Sequence, residues 1–213
     1  MKTNDSAISG FIDAYFSSLI EQHGAQAAGV GWNGDASLIT RFEQLAKIIT
    51  QGPDEAFSIT DLGCGYGALL PFLHGRFRSF TYVGCDISPA MIESAKKTHH
   101  AATNAEFFVA DAPVRETDYV IASGIFNLKG EFDYETWGAH IRKILDTMHA
   151  CSKKGFSFNI LTQYSDEDKM RDDLYYADPC ELFDLCKRKY SRNVALLHDY
   201  ELYDFTVLVR KLP

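Results

Sequence analysis

The run from Ile59 to Gly67 (Ile-Thr-Asp-Leu-Gly-Cys-Gly-Tyr-Gly) constrains the fold more than any other stretch of the chain. An apolar segment from Ala56 to Leu62 reads as a buried strand and breaks into glycines at alternate positions, Gly63, Gly65 and Gly67. A helical pattern follows at once, with Ala68, Leu69, Leu70, Phe72 and Leu73. Strand, tight turn and helix in this order make a nucleotide-binding turn. Glycine accepts positive φ and lets a ligand approach the backbone, and the helix N-terminus offers free N–H groups.

From Phe57 onward the pattern alternates strand and helix. Further strands are predicted over 80–85, 106–110, 119–123, 155–161, 192–197 and 205–209. Ser88-Pro89 and Asp178-Pro179-Cys180-Glu181 read as helix starts. A long amphipathic helix carries Trp137, Ile141, Ile144, Leu145 and Met148 inward. The last two strands are joined only by 198–204, too short for a parallel crossover, so they pair antiparallel. The fold class is therefore α/β, a doubly wound, mostly parallel seven-strand sheet ending in an antiparallel hairpin. Helices over 7–22 and 35–49 precede the glycine turn and belong to no strand–helix–strand unit. They predict an N-terminal helical cap (1–52) over a core spanning 53–213, within one domain of 1–213. Between Asp111 and Asp118 the chain is too short for a crossover helix, which predicts a turn there instead.

The totals narrow the class of partner. A length of 213 residues with 46% hydrophobic side chains can bury a sizeable core. The net charge of −8 disfavours nucleic acid and anionic membranes. No apolar run is long enough to span a bilayer, and the first residues lack a signal-peptide core. Five cysteines without CxxC spacing read as reduced thiols, with Cys64 and Cys85 as packing residues. The histidines form no metal-binding pattern. The expectation is a cytoplasmic monomer or homodimer with no metal, no membrane and no nucleic-acid partner.

The glycine spacing is G-x-G-x-G, so the glycine at 67 falls one residue early for a dinucleotide fingerprint. The Gly-Lys-Ser/Thr of a phosphate loop is absent. Asp61, two residues before the first glycine, is a poor neighbour for pyrophosphate and a good one for a cation. A nucleoside with an ammonium group and no phosphate fits, which points to S-adenosylmethionine (SAM).

These residues resemble the class I, Rossmann-like SAM-dependent methyltransferases: Asp61-Leu62-Gly63-Cys64-Gly65-Tyr66-Gly67, then Gly84-Cys85-Asp86-Ile87-Ser88, then Ala110-Asp111-Ala112. Each set falls at the C-terminal end of a predicted strand, where open α/β sheets bind ligands. The resemblance implies SAM as cofactor and S-adenosylhomocysteine (SAH) as product. It implies ribose hydroxyls on Asp86, adenine between Ile87 and Met91, and the adenine amino group on Asp111 with a ring nitrogen at Ala112. The methionine end falls to Asp61 and the backbone of Gly63, Cys64 and Gly65, with Ser123 nearby. Trp32 and Arg41 of the cap become candidates for closing the site, Arg41 through the cofactor carboxylate; packing and a solvated helix face are their alternatives.

The acceptor is expected along Ser123-Gly124-Ile125-Phe126-Asn127. The Asn/Asp-Pro-Pro-Tyr/Phe run of nucleobase and glutamine amino-methyltransferases is absent there, which lowers the case for those acceptors. Phe126, Asn127, Tyr164, Tyr175 and Tyr176 are the candidate acceptor contacts, and Asn127, Tyr164 and His198 the candidate catalytic groups. The expected function is methyl transfer to a small molecule by in-line displacement. A peptide or protein acceptor, or SAM binding without transfer, are the alternatives.

Overall fold

The structure is a computed structural model that describes residues 4–31 and 34–211. The first helix, α1 (Asn4–His23), is followed by a short 3₁₀ turn (Ala27–Val30) and by α2 (Asp35–Ala46). The last turn of α2 tightens beyond Ala46, where the amides of Lys47, Ile48 and Ile49 reach carbonyls three residues back. Ile48 and Ile49 therefore stay buried although the α-helix has ended.

Strand β1 (Phe57–Leu62) runs into the glycine turn and α3 (Leu69–His74). Then come β2 (Phe80–Asp86), α4 (Pro89–Thr98), β3 (Ala105–Val109) and β4 (Thr117–Ala122). The chain continues through α5 (Tyr134–Cys151), β5 (Ser152–Leu161), α6 (Pro179–Lys189), β6 (Asn193–Leu197) and β7 (Asp204–Arg210). Ser88 caps α4 by accepting from the Met91 amide, and Asp178 caps α6 at the Cys180 and Glu181 amides. Proline occupies the first helical position in both, where no amide hydrogen is needed.

The seven strands lie in the order β3-β2-β1-β4-β5-β7-β6. All neighbours from β3 to β5 are parallel, and β7 is antiparallel to both β5 and β6. The chain leaves β1 toward β2 and β3, then returns to its other side with β4. That reversal opens a crevice at the C-terminal end of β1, the place where such sheets bind ligands.

The sheet is buried on both faces. Leu38, Phe42 and Leu45 of α2, the apolar face of α3, and Ile92 and Ala95 of α4 pack with Phe57, Ile59, Tyr82 and Tyr119. Trp137, Ile141, Leu145 and Met148 of α5 pack on the opposite face with Leu62, Val83, Val120 and Phe156. No helix forms between β3 and β4, as the short connection predicts. Ile8 of α1 instead joins the cluster containing Leu62, Val83 and Cys85, so α1 covers part of the space left over that face.

Strand β5 starts before the predicted boundary. Gly155, with φ 152°, sits where a Cβ would lie 2.4 Å from the Val209 carbonyl oxygen of β7. The predicted strand begins at Gly155, with Ser152 and the two exposed lysines before it outside. In the sheet they are a strand that admits a close neighbouring backbone.

Candidate cofactor and acceptor site

The glycine turn is fixed by backbone bonds to the end of β2. The amides of Gly63 and Cys64 both donate to the Cys85 carbonyl, at 2.7 and 3.0 Å. The Gly65 amide donates to Asp86 Oδ2 at 2.8 Å, and the Ser88 amide to Asp86 Oδ1 at 2.9 Å. Gly63 and Gly65 have φ of 73° and 54°, a region that side chains avoid. At Gly63 a Cβ would also lie 2.1 Å from Ile125 Cγ2. Asp86 is thereby built into the turn, and the turn has a backbone that a ligand can approach.

A cavity of about 380 Å³ opens over this turn. It falls within the size range of small-molecule sites. Asp61, Gly63, Cys64, Gly65, Asp86 and Ile87 line it, as do Met91, Asp111, Ala112 and Ser123. The cofactor candidates from three strand ends thus come together, with Trp32 outside the described residues and Arg41 elsewhere. Ser123 Oγ is shielded from solvent and finds no hydrogen-bond partner in the protein. A cavity-lining hydroxyl left in that state, beside a glycine cradle and three acids, fits a nucleoside cofactor with a cationic tail.

The acids are held in different states. Asp61 is 3% exposed and accepts a 2.6 Å hydrogen bond from the Tyr82 hydroxyl. Burial pushes its pKa up to about 7, opposed by the Tyr82 bond and reinforced by the charge of Asp86. Asp86 is also raised by burial, against the opposing pull of the Ser88 and Gly65 amides. Asp111 is exposed at the rim. Burial raises the Cys64 thiol far above its usual range and Cys85 to about 11, so both are protonated packing groups.

The upper wall comes from the N-terminal helices: Ser9, Ile12 and Phe16 of α1, Val30, and Leu38 and Phe42 of α2. One point tying α1 down is a serine relay. Ser88 Oγ and Ser17 Oγ are 2.8 Å apart, and Ser17 donates to Asp13 Oδ1 at 2.9 Å. Since the Ser17 proton points at Asp13, Ser88 is the donor to Ser17. The residue that caps α4 thus also fastens α1. A further flank is formed by His140, Lys143, Ile144 and Thr147 of α5.

Several candidates stand away from the cavity. Arg41 is buried and forms an ion pair with Asp204 of β7, and its Nη1 donates to the Ser37 carbonyl at 3.0 Å. Phe126 is fully buried edge-on to Phe158, and its carbonyl accepts from the Trp137 indole at 2.7 Å. Asn127 Oδ1 accepts from the Leu161 amide, and its carbonyl accepts from the Tyr175 amide. It ties the loop after β4 to the end of β5, a structural use of the amide. Tyr175 packs on Tyr134 with ring centres 4.7 Å apart, and the Tyr176 hydroxyl accepts from the Arg171 amide. Tyr164 is 65% exposed and lies beside His198, 6.1 Å between rings. None of these seven lines the cavity. The α1 wall was hinted at by an apolar stripe wide enough to serve two surfaces, at Ile8, Phe11, Ile12, Tyr15 and Phe16. The α5 flank was hinted at by the missing β3–β4 helix.

The decisive comparison is with Rv1506c of Mycobacterium tuberculosis, a methyltransferase by name. It is 57% identical over 157 residues, 74% of this chain and 95% of that protein. The chain belongs to the class I SAM-dependent methyltransferases. Residues 59–155 of this methyltransferase match the family described as a methyltransferase domain. A trans-aconitate 2-methyltransferase of Methylobacterium radiotolerans is 35% identical over 104 residues, which is 44% of this chain and only 38% of that protein. Among solved structures, a complex of DhpI with SAM and HEP aligns with TM-score 0.64 at 14% identity, covering 94% of this chain and 95% of that one. The SAM-bound magnesium protoporphyrin IX methyltransferase of Synechocystis PCC 6803 aligns at TM-score 0.55 and 13% identity, over 83% and 77% of the two chains. At these identities the structural likenesses speak for the fold. SAM is the cofactor of this methyltransferase and SAH its product. Among the described residues no helix is long and apolar enough to cross a membrane, and no cluster of side chains could hold a metal ion.

Proposed function

We propose that this methyltransferase acts on a small-molecule acceptor, bound in the same cavity as SAM beneath the N-terminal helices. The observation that carries the reading is the continuity of that cavity. The acids at the strand ends and the apolar wall of Ile12, Phe16, Val30, Leu38 and Phe42 belong to one space of about 380 Å³. A cavity of this size walled by α1 and α2 suits a compact acceptor better than an extended polypeptide, which needs a long groove or an exposed strand edge. The relatives named for trans-aconitate and magnesium protoporphyrin IX support the same class.

In this reading Asp86 holds the ribose, Asp111 and the Ala112 backbone the adenine, and Asp61 with the Gly63–Gly65 backbone the methionine end. Ser123 offers its free hydroxyl. Residues 1–52 serve as the cap of one domain. The bound cofactor supplies a methyl group already activated by its sulfonium. The protein therefore has to orient and desolvate the reactants rather than generate a strong nucleophile. The apolar side chains of α1 and α2 exclude water, and the α1 fastening at Ser17 and Ser88 keeps them in place.

The test is incubation of the protein with methyl-labelled SAM and a fractionated metabolite extract. Label in a low-molecular-weight product supports the reading. Label confined to protein transfers the acceptor class to polypeptides and removes it.

A further inference from the structure

We propose that Tyr82, on β2, is a positioning residue of the cofactor site: its hydroxyl holds Oδ2 of Asp61 so that Oδ1 is presented to the cationic end of SAM. The proposal rests on the assignment of Asp61 to that end of the cofactor. It adds a residue that does not line the cavity and whose effect passes through the acid.

The geometry comes from strand register. Ile59 pairs with Tyr82 and Asp61 with Gly84 across β1 and β2, so Asp61 and Tyr82 project from the same face of the sheet. Gly84 has no side chain beside Asp61, and the space a Cβ would fill there is taken by the Phe107 ring and Cys64 Sγ. Tyr82 is fully buried against Phe107, with ring centres 5.7 Å apart, and its hydroxyl lies 2.6 Å from Asp61 Oδ2. To the ionised form of Asp61 the phenol can only donate, since that carboxylate has no proton to give. Burial and the negative field of Asp61 raise the Tyr82 pKa further, so the phenol stays protonated.

The charged surroundings make this bond matter. Asp86 faces Asp61 from the end of β2, and Cys64 and Cys85 are coupled to it from the turn and from β2. Across the cavity the described lining carries Asp111, Tyr66, and His140 and Lys143 of α5. The groups acting directly on Asp61 are a buried environment and another acid, which oppose ionisation, and one donor, Tyr82, which favours it. Asp61 is thus close to half protonated at neutral pH in the empty protein. A cationic ligand selects the ionised form, so binding releases a proton and weakens as pH falls. With a midpoint near 7, the Asp61 contribution makes SAH bind roughly tenfold more weakly at pH 6 than at pH 8. Loss of the Tyr82 hydroxyl moves the midpoint to higher pH.

The experiment is titration calorimetry of SAH from pH 5.5 to 8.5 with wild type, Tyr82→Phe and Asp61→Asn, in buffers of different ionisation enthalpy. The ratio of two variants at each pH cancels the ligand's own titration. The ratio of Asp61→Asn to wild-type affinity is expected to change about tenfold between pH 6 and 8. Tyr82→Phe is expected to lose more affinity at pH 7 than at pH 8.5. It should also show a raised Asp61 pKa in the empty protein by carboxyl NMR. An equal loss at every pH, or an unmoved Asp61 pKa, overturns the role of Tyr82. A flat Asp61→Asn ratio with SAH still bound overturns the Asp61 assignment alone, and failure of wild type to bind SAH overturns the cofactor reading itself. If Tyr82→Phe does not fold, 3-fluorotyrosine at position 82 takes its place: its more acidic phenol donates more strongly and should lower the Asp61 pKa, and an unmoved Asp61 pKa overturns the role of Tyr82.

Discussion

Replacing Arg41 with methionine should destabilise the protein without weakening the cofactor. The guanidinium and the Asp204 carboxylate pair where the two side chains are 8% and 0% exposed, joining α2 to β7. Removing the cation leaves a buried carboxylate whose remaining environment opposes its charge, a loss of about 3–5 kcal/mol. For a chain of this length that corresponds to a fall in Tm of roughly 6–20 °C. The sign of the pH dependence follows from Asp204. Its folded pKa is already raised by burial, with Arg41 pulling it back, and Arg41→Met lets it rise further. A raised carboxyl pKa favours the folded state at low pH and penalises it as pH climbs through that value. The variant should therefore be most impaired at pH 7.5 and approach wild type near pH 4. Adding Asp204→Asn should recover at least half of the loss at neutral pH, because the charge left unpaired is then gone. Differential scanning calorimetry at both pH values, with SAH titrations alongside, measures each quantity. An unchanged Tm with a large loss of SAH affinity would refute the argument and put Arg41 on the cofactor.

Two other substitutions test the site, and a labelling experiment tests its thiols. Gly63→Ala places a methyl in a left-handed backbone against Ile125 and should cost about 2–4 kcal/mol on denaturant unfolding while abolishing SAH binding. Asp86→Ala removes an acid that accepts from the Gly65 and Ser88 amides; SAH affinity should fall at least tenfold by calorimetry, and unchanged affinity would cancel the ribose assignment. With a thiol reagent at pH 8, exposed Cys180 should react in the folded protein, whereas buried Cys64 and Cys85 should react only after unfolding.

That the cofactor candidates gather around one cavity was legible because the information is local. Asp61, Asp86 and Asp111 each lie within two residues of a strand's C-terminal end, and parallel order alone brings strand ends to one edge of a sheet. The acceptor half was not, because it depends on which long-range partner a polar side chain finds. Asn127 resembles a substrate ligand until the Leu161 amide is placed against it. Arg41 resembles a carboxylate ligand until Asp204, far along the chain, occupies it. Ile12 and Phe16 read only as part of an apolar stripe of the cap, because a single helix does not reveal which of its apolar residues face a cavity. The opposite held for the brief β3–β4 connection, whose length alone predicted the absent helix.

The position of β7 between β5 and β6 has a consequence for biosynthesis. Strand β6 is made before the strand it pairs with, and Arg41 leaves the ribosome long before Asp204. At ordinary translation rates that interval is on the order of ten seconds. Throughout it α2 carries a cation destined for burial, and at its end β5 and β6 present edges that only β7 will pair. The nascent chain is therefore most in need of chaperone protection just before its last strand arrives, and a stall at that point would release a protein with an open sheet.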